Sequence, residues 1–126
     1  MILASLVERE VNQPADRAKV CGLYYNRLKV GMPLQVDATI LYAQGVFKKT
    51  VLLDDLKFAS PYNTYLHNGL PPGPIANPGI EAITACVKPD NNNFIYYFSD
   101  SKGLTHFDAD FNQFRADQAK YGVFGQ

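Results

Sequence analysis

The stretch ILASLVEREVN, residues 2–12, has the residue spacing of an amphipathic helix. At 3.6 residues per turn, each side chain is rotated by about 100° from the one before it. One arc of this helix is apolar and is expected to face the core: Ile2, Leu3, Ala4, Leu6, Val7 and Val11. Glu8 belongs to the polar face, whereas Glu10 falls inside the apolar arc. The stretch therefore predicts a core helix that carries one carboxylate out of pattern.

The position of Glu10 allows a catalytic and a structural interpretation. A carboxylate on an apolar face loses hydration, which raises its pKa, and a carboxyl group that keeps its proton near neutral pH can serve as a general acid. Alternatively, Glu10 forms an ion pair with Arg17, which lies in the apolar stripe of the next predicted helix. Glu8 is expected to be a solvated carboxylate in contact with Asn12. No second carboxylate is an evident partner for Glu10, although ordinary glycoside hydrolases use a pair.

Proline and glycine divide the remainder of the chain into short elements, because proline restricts the residue before it and glycine favours helix ends. In chain order we expect a helix from Pro14 to Val30, a helix capped by Asp37 and ended by Gly45, a helical turn over 53–58, a helix from Asn77 and Pro78 to about Lys88, strands over 94–99 and 104–107, and a helix over 108–121. This order predicts one α+β domain, mostly helical, with a small antiparallel β-hairpin.

The segment SPYNTYLHNGLPPGPIANPG, residues 60–79, contains five of the chain's eight prolines. Proline removes a backbone donor, so this segment is neither a helix nor a central strand. Long loops without their own secondary structure are usually functional or disordered, and the aromatic side chains Tyr62 and Tyr65 argue against disorder. We therefore expect an ordered functional loop, whose prolines lower the entropic cost of ordering it around a ligand.

The charge balance and the residue counts exclude several classes of function. Twelve basic residues match twelve acidic ones, so the sequence lacks the basic surface of a protein that binds nucleic acid or an anionic membrane. Two histidines without clustered cysteines argue against a metal site, and no cofactor-binding motif occurs. No apolar run is long enough to span a bilayer. Cys21 and Cys86 are expected to be free thiols buried in helices.

Four stretches resemble, in order, the catalytic domain of the YceG-like (MltG) endolytic murein transglycosylases: LASLVERE (3–10), YNRLKVGMPLQVDATILY (25–42), the 60–79 loop and FIYYFSDSKGLTHF (94–107). The resemblance spans about residues 3–118, and the loop is its most specific part. It implies a lysozyme-like lytic transglycosylase active site and no cofactor. Family members usually carry a membrane anchor and a LysM-like subdomain before the catalytic part. Residues 1–126 are therefore expected to be the catalytic domain alone, without either segment.

The resemblance also implies a reaction. Family members cleave the β-1,4 bond between N-acetylmuramic acid and N-acetylglucosamine, leave 1,6-anhydromuramoyl ends and thereby terminate nascent glycan strands. A single glutamate first protonates the glycosidic oxygen and then takes the proton of the C6 hydroxyl, which attacks the anomeric carbon with the advantage of an intramolecular nucleophile. The implied partners are glycan strands and peptidoglycan synthases. The implied location is the periplasmic face of the inner membrane, reached through the anchor of the full-length protein.

The resemblance selects candidate residues for this reaction. Family members usually have Glu-Lys-Glu-Thr where this chain has Glu8 to Val11, so Glu10 is expected to be the general acid and base and Glu8 the second candidate. Val11 stands where other family members have a hydroxyl residue, so any hydrogen bond from that hydroxyl would be absent in this chain. The expected substrate-binding residues have amide, carboxylate, hydroxyl or aromatic side chains that suit sugars: Gln35, Asp37, Tyr62, Asn63, Thr64, Tyr65 and Asn77. Some of these have structural alternatives, namely a role in the loop for Gln35, capping for Asp37 and Asn77, and core packing for the tyrosines.

Two other functions remain open from the sequence. In a hydrolytic muramidase of similar shape, water would replace the C6 hydroxyl and the product would have a reducing muramic end. In an inactive module of the cell-wall synthesis machinery, the domain would bind glycan without cleaving it. Analysis of the reaction product distinguishes a muramidase from a transglycosylase. Replacement of Glu10 by glutamine tests whether the domain is an inactive module.

Overall fold

The structure, a computed structural model, describes residues 1–11, 13–46 and 51–122. In these ranges the chain forms five helices and one two-stranded antiparallel sheet: α1 Ile2–Glu10, α2 Arg17–Val30, α3 Asp37–Gln44, α4 Ile80–Val87, β1 Tyr96–Ser99, β2 Thr105–Asp108 and α5 Phe111–Lys120. Short 3₁₀ turns cover Pro14–Asp16 and Leu53–Lys57. The predicted α+β architecture and the helical turn after α3 are confirmed.

The core lies where α1, α2 and α4 pack against one another. Leu6 and Val7 of α1 are completely buried, as the helical periodicity predicts, and Leu23 of α2 is completely buried as well. Removing a buried leucine side chain typically costs about 2–5 kcal/mol. This helical core therefore fixes the direction of α1, at whose end Glu10 lies.

A disulfide joins α2 to α4 through Cys21 and Cys86. Their Cα atoms lie 5.4 Å apart, a separation that a disulfide can bridge. The prediction of two free thiols is therefore wrong. The cause is the packing of α2 on α4, which joins residues that are 65 positions apart in the chain.

The proline-rich loop is ordered by buried hydrogen bonds at both ends. Near its start, the Asn63 side chain is fully buried and donates to the carbonyls of Leu56 and Phe58, at 3.0 and 2.7 Å. Further on, the backbone N–H of Ile75 donates to the hydroxyl of Ser5 on α1, at 3.1 Å. The loop therefore runs back from the region of α3 to the core helix, and the expectation of an ordered loop is confirmed.

The hairpin pairs Tyr96 with Asp108 and Ser99 with Thr105. Side chains of α2 hold the strand segment that leads into it: Asn26 donates to the carbonyl of Phe94 at 2.9 Å, and Arg27 donates through Nε to the carbonyl of Ile95 at 2.8 Å. These bonds place β1, and with it the face that includes Tyr97, beside the core.

Two predicted helix starts are wrong. Asn77 is exposed and does not cap α4, which begins at Ile80 after Gly79. Asp108 ends β2 and is buried, and α5 is capped instead by Asp110, whose carboxylate accepts the N–H of Gln113 at 3.0 Å. Before each helix, two residues that favour the N-cap position occur within a few positions of each other. Local capping preferences therefore did not decide which of the two caps the helix.

None of the helices in the described ranges is both long and apolar enough to cross a membrane.

Candidate active site

Glu10 is the last residue of α1, where the first turn of α3 and strand β1 meet it. The backbone N–H of Ala38 in α3 donates to its carboxylate. The hydroxyl of Tyr97 in β1 donates to Oε1 across 3.4 Å. The residue as a whole keeps some contact with solvent. Its carboxyl group is therefore held by two elements, α3 and β1.

The surroundings of Glu10 bring its pKa close to neutrality. Burial, followed by the nearby charge of Asp37, raises the pKa of the Glu10 carboxyl from 4.5 to about 7. The Ala38 N–H, the Tyr97 hydroxyl and the charge of Arg27 act in the opposite direction. A group with a pKa near 7 is present in both forms at neutral pH and can both give and accept a proton. The carboxyl predicted from helical periodicity thus has the properties of a general acid and base.

Tyr97 connects Glu10 to a second buried tyrosine. The hydroxyls of Tyr97 and Tyr24 lie 2.9 Å apart. Because Tyr97 uses its only proton toward Glu10, Tyr24 is the donor of the second bond when Glu10 is ionised. Burial raises the pKa of both tyrosines above the ordinary value, so both hydroxyls stay protonated and available as donors. The chain Tyr24–Tyr97–Glu10 fixes the orientation of the carboxyl group.

Asp37 is a second carboxylate in the neighbourhood of Glu10, close enough for its charge to affect the pKa of Glu10. The expectation that Glu10 has no carboxylate partner is therefore wrong. Asp37 is the first residue of α3 rather than its N-cap, which is Val36. The Tyr65 hydroxyl donates to Asp37 Oδ1, and burial together with the Asp37 charge raises the pKa of Tyr65. Glu10, Asp37 and Tyr65, all predicted site residues, are thus brought together.

The cation near Glu10 is Arg27, not Arg17. Arg27 is buried, its guanidinium lies 5.7 Å from the ring centroid of Tyr97, and it also donates to the carbonyl of Leu34. Its charge lowers the pKa of Glu10. The predicted ion pair between Glu10 and Arg17 is therefore wrong. Both arginines lie near the apolar side of α2, and the helical pattern alone does not decide which one faces α1.

Glu8 supports the start of α4. Its Oε1 accepts the backbone N–H of Gly79 at 2.7 Å, and the side chain is partly buried. The expectation of a solvated Glu8 is therefore wrong, and its expected neighbour Asn12 lies outside the described residues. A carboxylate at a helix N-terminus also interacts favourably with the helix dipole. Because two residues correspond to about 200° of helical rotation, Glu8 and Glu10 leave α1 in nearly opposite directions.

Gln35 has a left-handed backbone conformation, with φ of 54°, although it is not a glycine. Its N–H donates to the carbonyl of Thr64 at 3.2 Å, and its side chain is exposed. Such a conformation costs of order 1 kcal/mol or more and persists where the surrounding structure imposes it. Here the conformation of Gln35 directs the chain into α3, where the N–H of Ala38 donates to Glu10. It also leaves the Gln35 side chain open to solvent.

Asn63 and Thr64 act within the protein. Thr64 is buried, and its hydroxyl accepts the N–H of Val36 and lies 2.9 Å from the hydroxyl of Thr39. The Asn63 side chain also accepts the N–H of Tyr65 at 2.9 Å. Both residues position the loop against the start of α3. Contact of either side chain with a substrate stays a prediction.

The remaining predicted residues, Tyr62 and Asn77, belong to the proline-rich loop. Tyr62 is partly buried against Tyr42, with ring centroids 5.0 Å apart. Asn77 is exposed near Gly79, on the side of α1 that Glu8 faces. Tyr62, within the loop, also packs against the hydrophobic core, whereas Asn77 does not join the Glu10 cluster through any hydrogen bond among the described residues.

Sequence reasoning missed Tyr97, Tyr24 and Arg27. The strand pattern YYFS does not tell which of Tyr96 and Tyr97 faces α1. For Arg27 a signal exists, because it lies three residues after Tyr24 on the predicted apolar side of α2, where an unpaired cation is unexpected. Within the described residues, no group of three or more His, Cys, Asp or Glu side chains is arranged to hold a metal ion.

Comparisons with known proteins identify relatives of this chain. A model of the YceG-like family matches residues 1–120. An endolytic murein transglycosylase of Bacillus subtilis is 44% identical over 121 residues, which are 96% of this chain and 34% of the relative. An endolytic murein transglycosylase of Streptococcus pneumoniae is 38% identical over 105 residues, 79% of this chain and 19% of the relative. The chain thus spans about a third or less of the length of these relatives.

The fold also matches a solved structure. A Listeria monocytogenes protein described as YceG-like superposes with a TM-score of 0.87 at 37% sequence identity. The superposition covers 90% of this chain and 38% of the Listeria chain. The arrangement of helices, loop and hairpin described above is therefore similar to that of an experimentally determined structure.

Proposed function

Because the chain belongs to the YceG-like family, we propose that it is a lytic transglycosylase that acts on peptidoglycan. It would cleave the β-1,4 bond between N-acetylmuramic acid and N-acetylglucosamine within a glycan strand and leave a 1,6-anhydro-N-acetylmuramic acid end. Cleavage inside nascent strands would terminate their elongation. The names of the Bacillus and Streptococcus relatives support this assignment.

The observation that carries the proposal is the environment of Glu10. Burial and the charge of Asp37 favour its protonated form, while the Ala38 N–H and the Tyr97 hydroxyl favour its ionised form. These opposing influences give a pKa of about 7, which suits a group that must act first as acid and then as base.

The reaction needs one carboxyl group and no water. Protonated Glu10 donates its proton to the glycosidic oxygen as the bond between that oxygen and C1 of the muramic residue breaks. The C6 hydroxyl of the same residue attacks C1 and transfers its proton to the Glu10 carboxylate, which restores the acid. One C–O bond breaks and one forms within the strand, so protons and atoms balance. The intramolecular nucleophile provides a high effective concentration at C1.

Other predicted residues would bind the strand around this centre. Gln35, with its exposed side chain beside the start of α3, would hydrogen-bond a sugar, and the ring of Tyr62 would contact the apolar face of one. Asp37, held by Tyr65, would favour positive charge that develops at C1 in the transition state. Asn63 and Thr64 would act mainly by holding the loop in place.

The proximity of Asp37 to Glu10 also supports a second candidate, a hydrolytic muramidase. Glycoside hydrolases generally use two carboxyl groups, one of which activates water or attacks the sugar. In that reaction Asp37 would serve as the second group, and the product would carry a reducing muramic end.

One experiment separates these reactions. The 126-residue chain is incubated with purified glycan strands, and the products are analysed by mass spectrometry. A transglycosylase yields products that are lower in mass by one water than those of a muramidase. The variant Glu10→Gln is expected to lose at least about a hundredfold in rate, since acid–base catalysis contributes roughly 10²–10⁴. Glu8→Gln, the control, is expected to retain cleavage.

The other outcomes are equally informative. Reducing muramic ends would identify a muramidase. Strand binding without cleavage by the unaltered chain would support an inactive glycan-binding module. Unchanged cleavage by Glu10→Gln would exclude Glu10 as the acid and would make Glu8→Gln the decisive variant.

We further propose that the protein works on the extracytoplasmic side of the membrane, as the periplasmic domain of a longer, membrane-anchored protein beside peptidoglycan synthases. The disulfide between Cys21 and Cys86 supports an oxidising compartment, because such bonds are rare in the cytosol. The partial coverage of the relatives supports a longer protein.

A further inference from the structure

A groove of about 450 Å³ lies between the 3₁₀ turn at Pro14–Asp16, the start of α2 and α4. Small side chains, among them Ala15, Ala18 and Ala85, line part of it. Arg17, Glu81 and Lys88 supply charged groups at the same surface. The groove therefore combines room for small apolar groups with two cations and one carboxylate.

Arg17 is the unusual member of this groove. Its Nε is buried and has no hydrogen-bond partner among the described residues. The other guanidinium nitrogens of Arg17 make no hydrogen bond or ion pair with any described residue. A buried N–H without a partner costs about 1–3 kcal/mol, so such groups normally meet a partner or a ligand. Since Arg27 is the cation near Glu10, Arg17 is also not needed by the acid–base centre.

We propose that this groove binds the peptide arm of peptidoglycan, with a free carboxylate of that peptide bound by Arg17. The identity of the ligand rests on the proposed function. Muramic residues carry short peptides that contain alanine methyl groups, free carboxylates and commonly an amine. The guanidinium fork of Arg17 matches a carboxylate, and Lys88 adds a second cation. Glu81 is placed to bind the amine, and the alanine-lined wall accommodates the methyl groups.

The edge of the groove lies close to Glu10 along the chain. Pro14, at the edge of the groove, follows Glu10 by four residues, so their Cα atoms are at most about 14 Å apart. Glu8 contacts Gly79, which immediately precedes the groove residue Ile80. An extended tripeptide spans about 10 Å. Because Glu8 and Glu10 leave α1 in nearly opposite directions, a peptide attached to the muramic residue would pass around the C-terminal end of α1 to enter the groove.

Binding can be tested without catalysis. The 126-residue chain, labelled with ¹⁵N, is titrated with the synthetic tripeptide acetyl-L-Ala-γ-D-Glu-L-Lys. We expect amide shifts concentrated in 15–18 and 80–88, and an affinity at least about tenfold lower for Arg17→Gln, which corresponds to the loss of one hydrogen bond to a charged group. Arg115→Gln, which changes an exposed arginine on α5, is the matched control and is expected to bind like the unaltered chain. Thermal unfolding of both variants verifies that they fold.

Cleavage supplies the second measurement. We expect peptide-bearing strands to be cut faster than strands stripped of peptides, and Arg17→Gln to abolish this difference while leaving the rate on stripped strands unchanged. Equal tripeptide affinity of Arg17→Gln and the unaltered chain would overturn the proposal, as would shifts confined to other surfaces or displacement of the tripeptide by equimolar acetate. Tripeptide binding at the groove in a chain that cuts no strand would overturn only the proposed enzymatic function.

Discussion

Tyr97 donates a hydrogen bond to Oε1 of Glu10 across 3.4 Å, although the two residues are 87 positions apart in the sequence. One end of the hairpin thereby holds the carboxyl group at the end of the core helix. A hydrogen bond to the ionised form stabilises that form, which is why the Tyr97 hydroxyl lowers the pKa of Glu10 against the larger effect of burial. Tyr97 is therefore a positioning residue for the proposed acid and base.

Replacing Tyr97 by phenylalanine should raise the pKa of Glu10 above about 7 and shift the high-pH limb of kcat/KM upward. At neutral pH, kcat should fall by roughly tenfold, because the carboxyl loses one bond that orients it. The buried hydroxyl of Tyr24 would also lose its partner, at a cost of about 1–3 kcal/mol in the free energy of unfolding. The measurements are a pH–rate profile and denaturant unfolding.

Tyr96→Phe is the matched control for this variant. Tyr96 precedes Tyr97 in the same strand and packs on Phe114, with ring centroids 5.0 Å apart, and its hydroxyl makes no hydrogen bond among the described residues. Its removal should change neither the pH profile nor the stability by a measurable amount. A pH profile of Tyr97→Phe identical to that of Tyr96→Phe would contradict the positioning role.

Replacing Asp37 by asparagine should lower the pKa of Glu10, because the charge of Asp37 is the second largest cause of its elevation after burial. The high-pH limb of kcat/KM should therefore move to lower pH, opposite to the shift expected for Tyr97→Phe. Asp54→Asn, an exposed change on the 3₁₀ turn Leu53–Lys57, is the control. An unmoved limb in Asp37→Asn would mean that the Asp37 charge does not act on the Glu10 carboxyl.

Glu10→Gln should stabilise the protein above pH 7 while it slows cleavage by at least about a hundredfold. The folded-state pKa of Glu10 is raised from 4.5 to about 7, so the folded protein binds this proton more tightly than the unfolded chain does. Stability from this group is therefore greatest below pH 4.5 and falls as the pH rises from 4.5 to 7. The contribution of Glu10 to the free energy of unfolding is thus smaller above pH 7 than below pH 4.5 by on the order of 3 kcal/mol. Unfolding curves from pH 4 to pH 8 should show a decrease in stability that is larger for the unaltered chain than for Glu10→Gln.

Glu8→Gln should behave in the opposite way. Its carboxylate accepts the N–H of Gly79 at the start of α4, and loss of this charge should lower the free energy of unfolding by roughly 1–2 kcal/mol at neutral pH. Strand cleavage should persist. A stabilised Glu8→Gln together with a destabilised Glu10→Gln would reverse the roles assigned to the two carboxylates.

The unlike roles of Glu8 and Glu10 were partly predictable, because helical periodicity is a local property of ten residues. It identified Glu10 as the carboxylate on the apolar side of α1. It did not reveal that Glu8 supports α4, because Gly79 is 71 positions away. The same limit explains why Tyr97 was missed and why the Cys21–Cys86 disulfide was not expected. Each depends on which helices and strands pack together, and no local pattern contains that information.

The arginines illustrate a second limit. Arg17 and Arg27 both fall near the apolar side of α2, and an ion pair with Glu10 was predicted for the wrong one. Which arginine lies near Glu10 depends on the side of α2 that meets α1 and β1. Arg27 lies on that side and donates a hydrogen bond to the carbonyl of Ile95. The overall α+β arrangement was predictable because proline, glycine and apolar spacing act locally, whereas the partners of buried charges depend on the tertiary fold.

Reduction of the Cys21–Cys86 disulfide should lower the stability of the domain without removing its activity. The bond closes a loop of 65 positions between α2 and α4, and constraining the unfolded chain in this way is typically worth about 2–4 kcal/mol. The unfolding midpoint Tm should therefore fall when dithiothreitol is added. Cleavage well below the new Tm should persist, because neither cysteine contacts Glu10 through a hydrogen bond among the described residues.

The double variant Cys21→Ala/Cys86→Ala is the control for this measurement. Its Tm should lie below that of the oxidised protein and should not respond to dithiothreitol, since it has no bond to reduce. If the Tm of the unaltered chain is equally insensitive to the reductant, and mass spectrometry after alkylation finds two free thiols, the disulfide does not form in solution. In that case the two sulfur atoms would merely pack side by side between α2 and α4, and the extracytoplasmic location would lose the support of the disulfide.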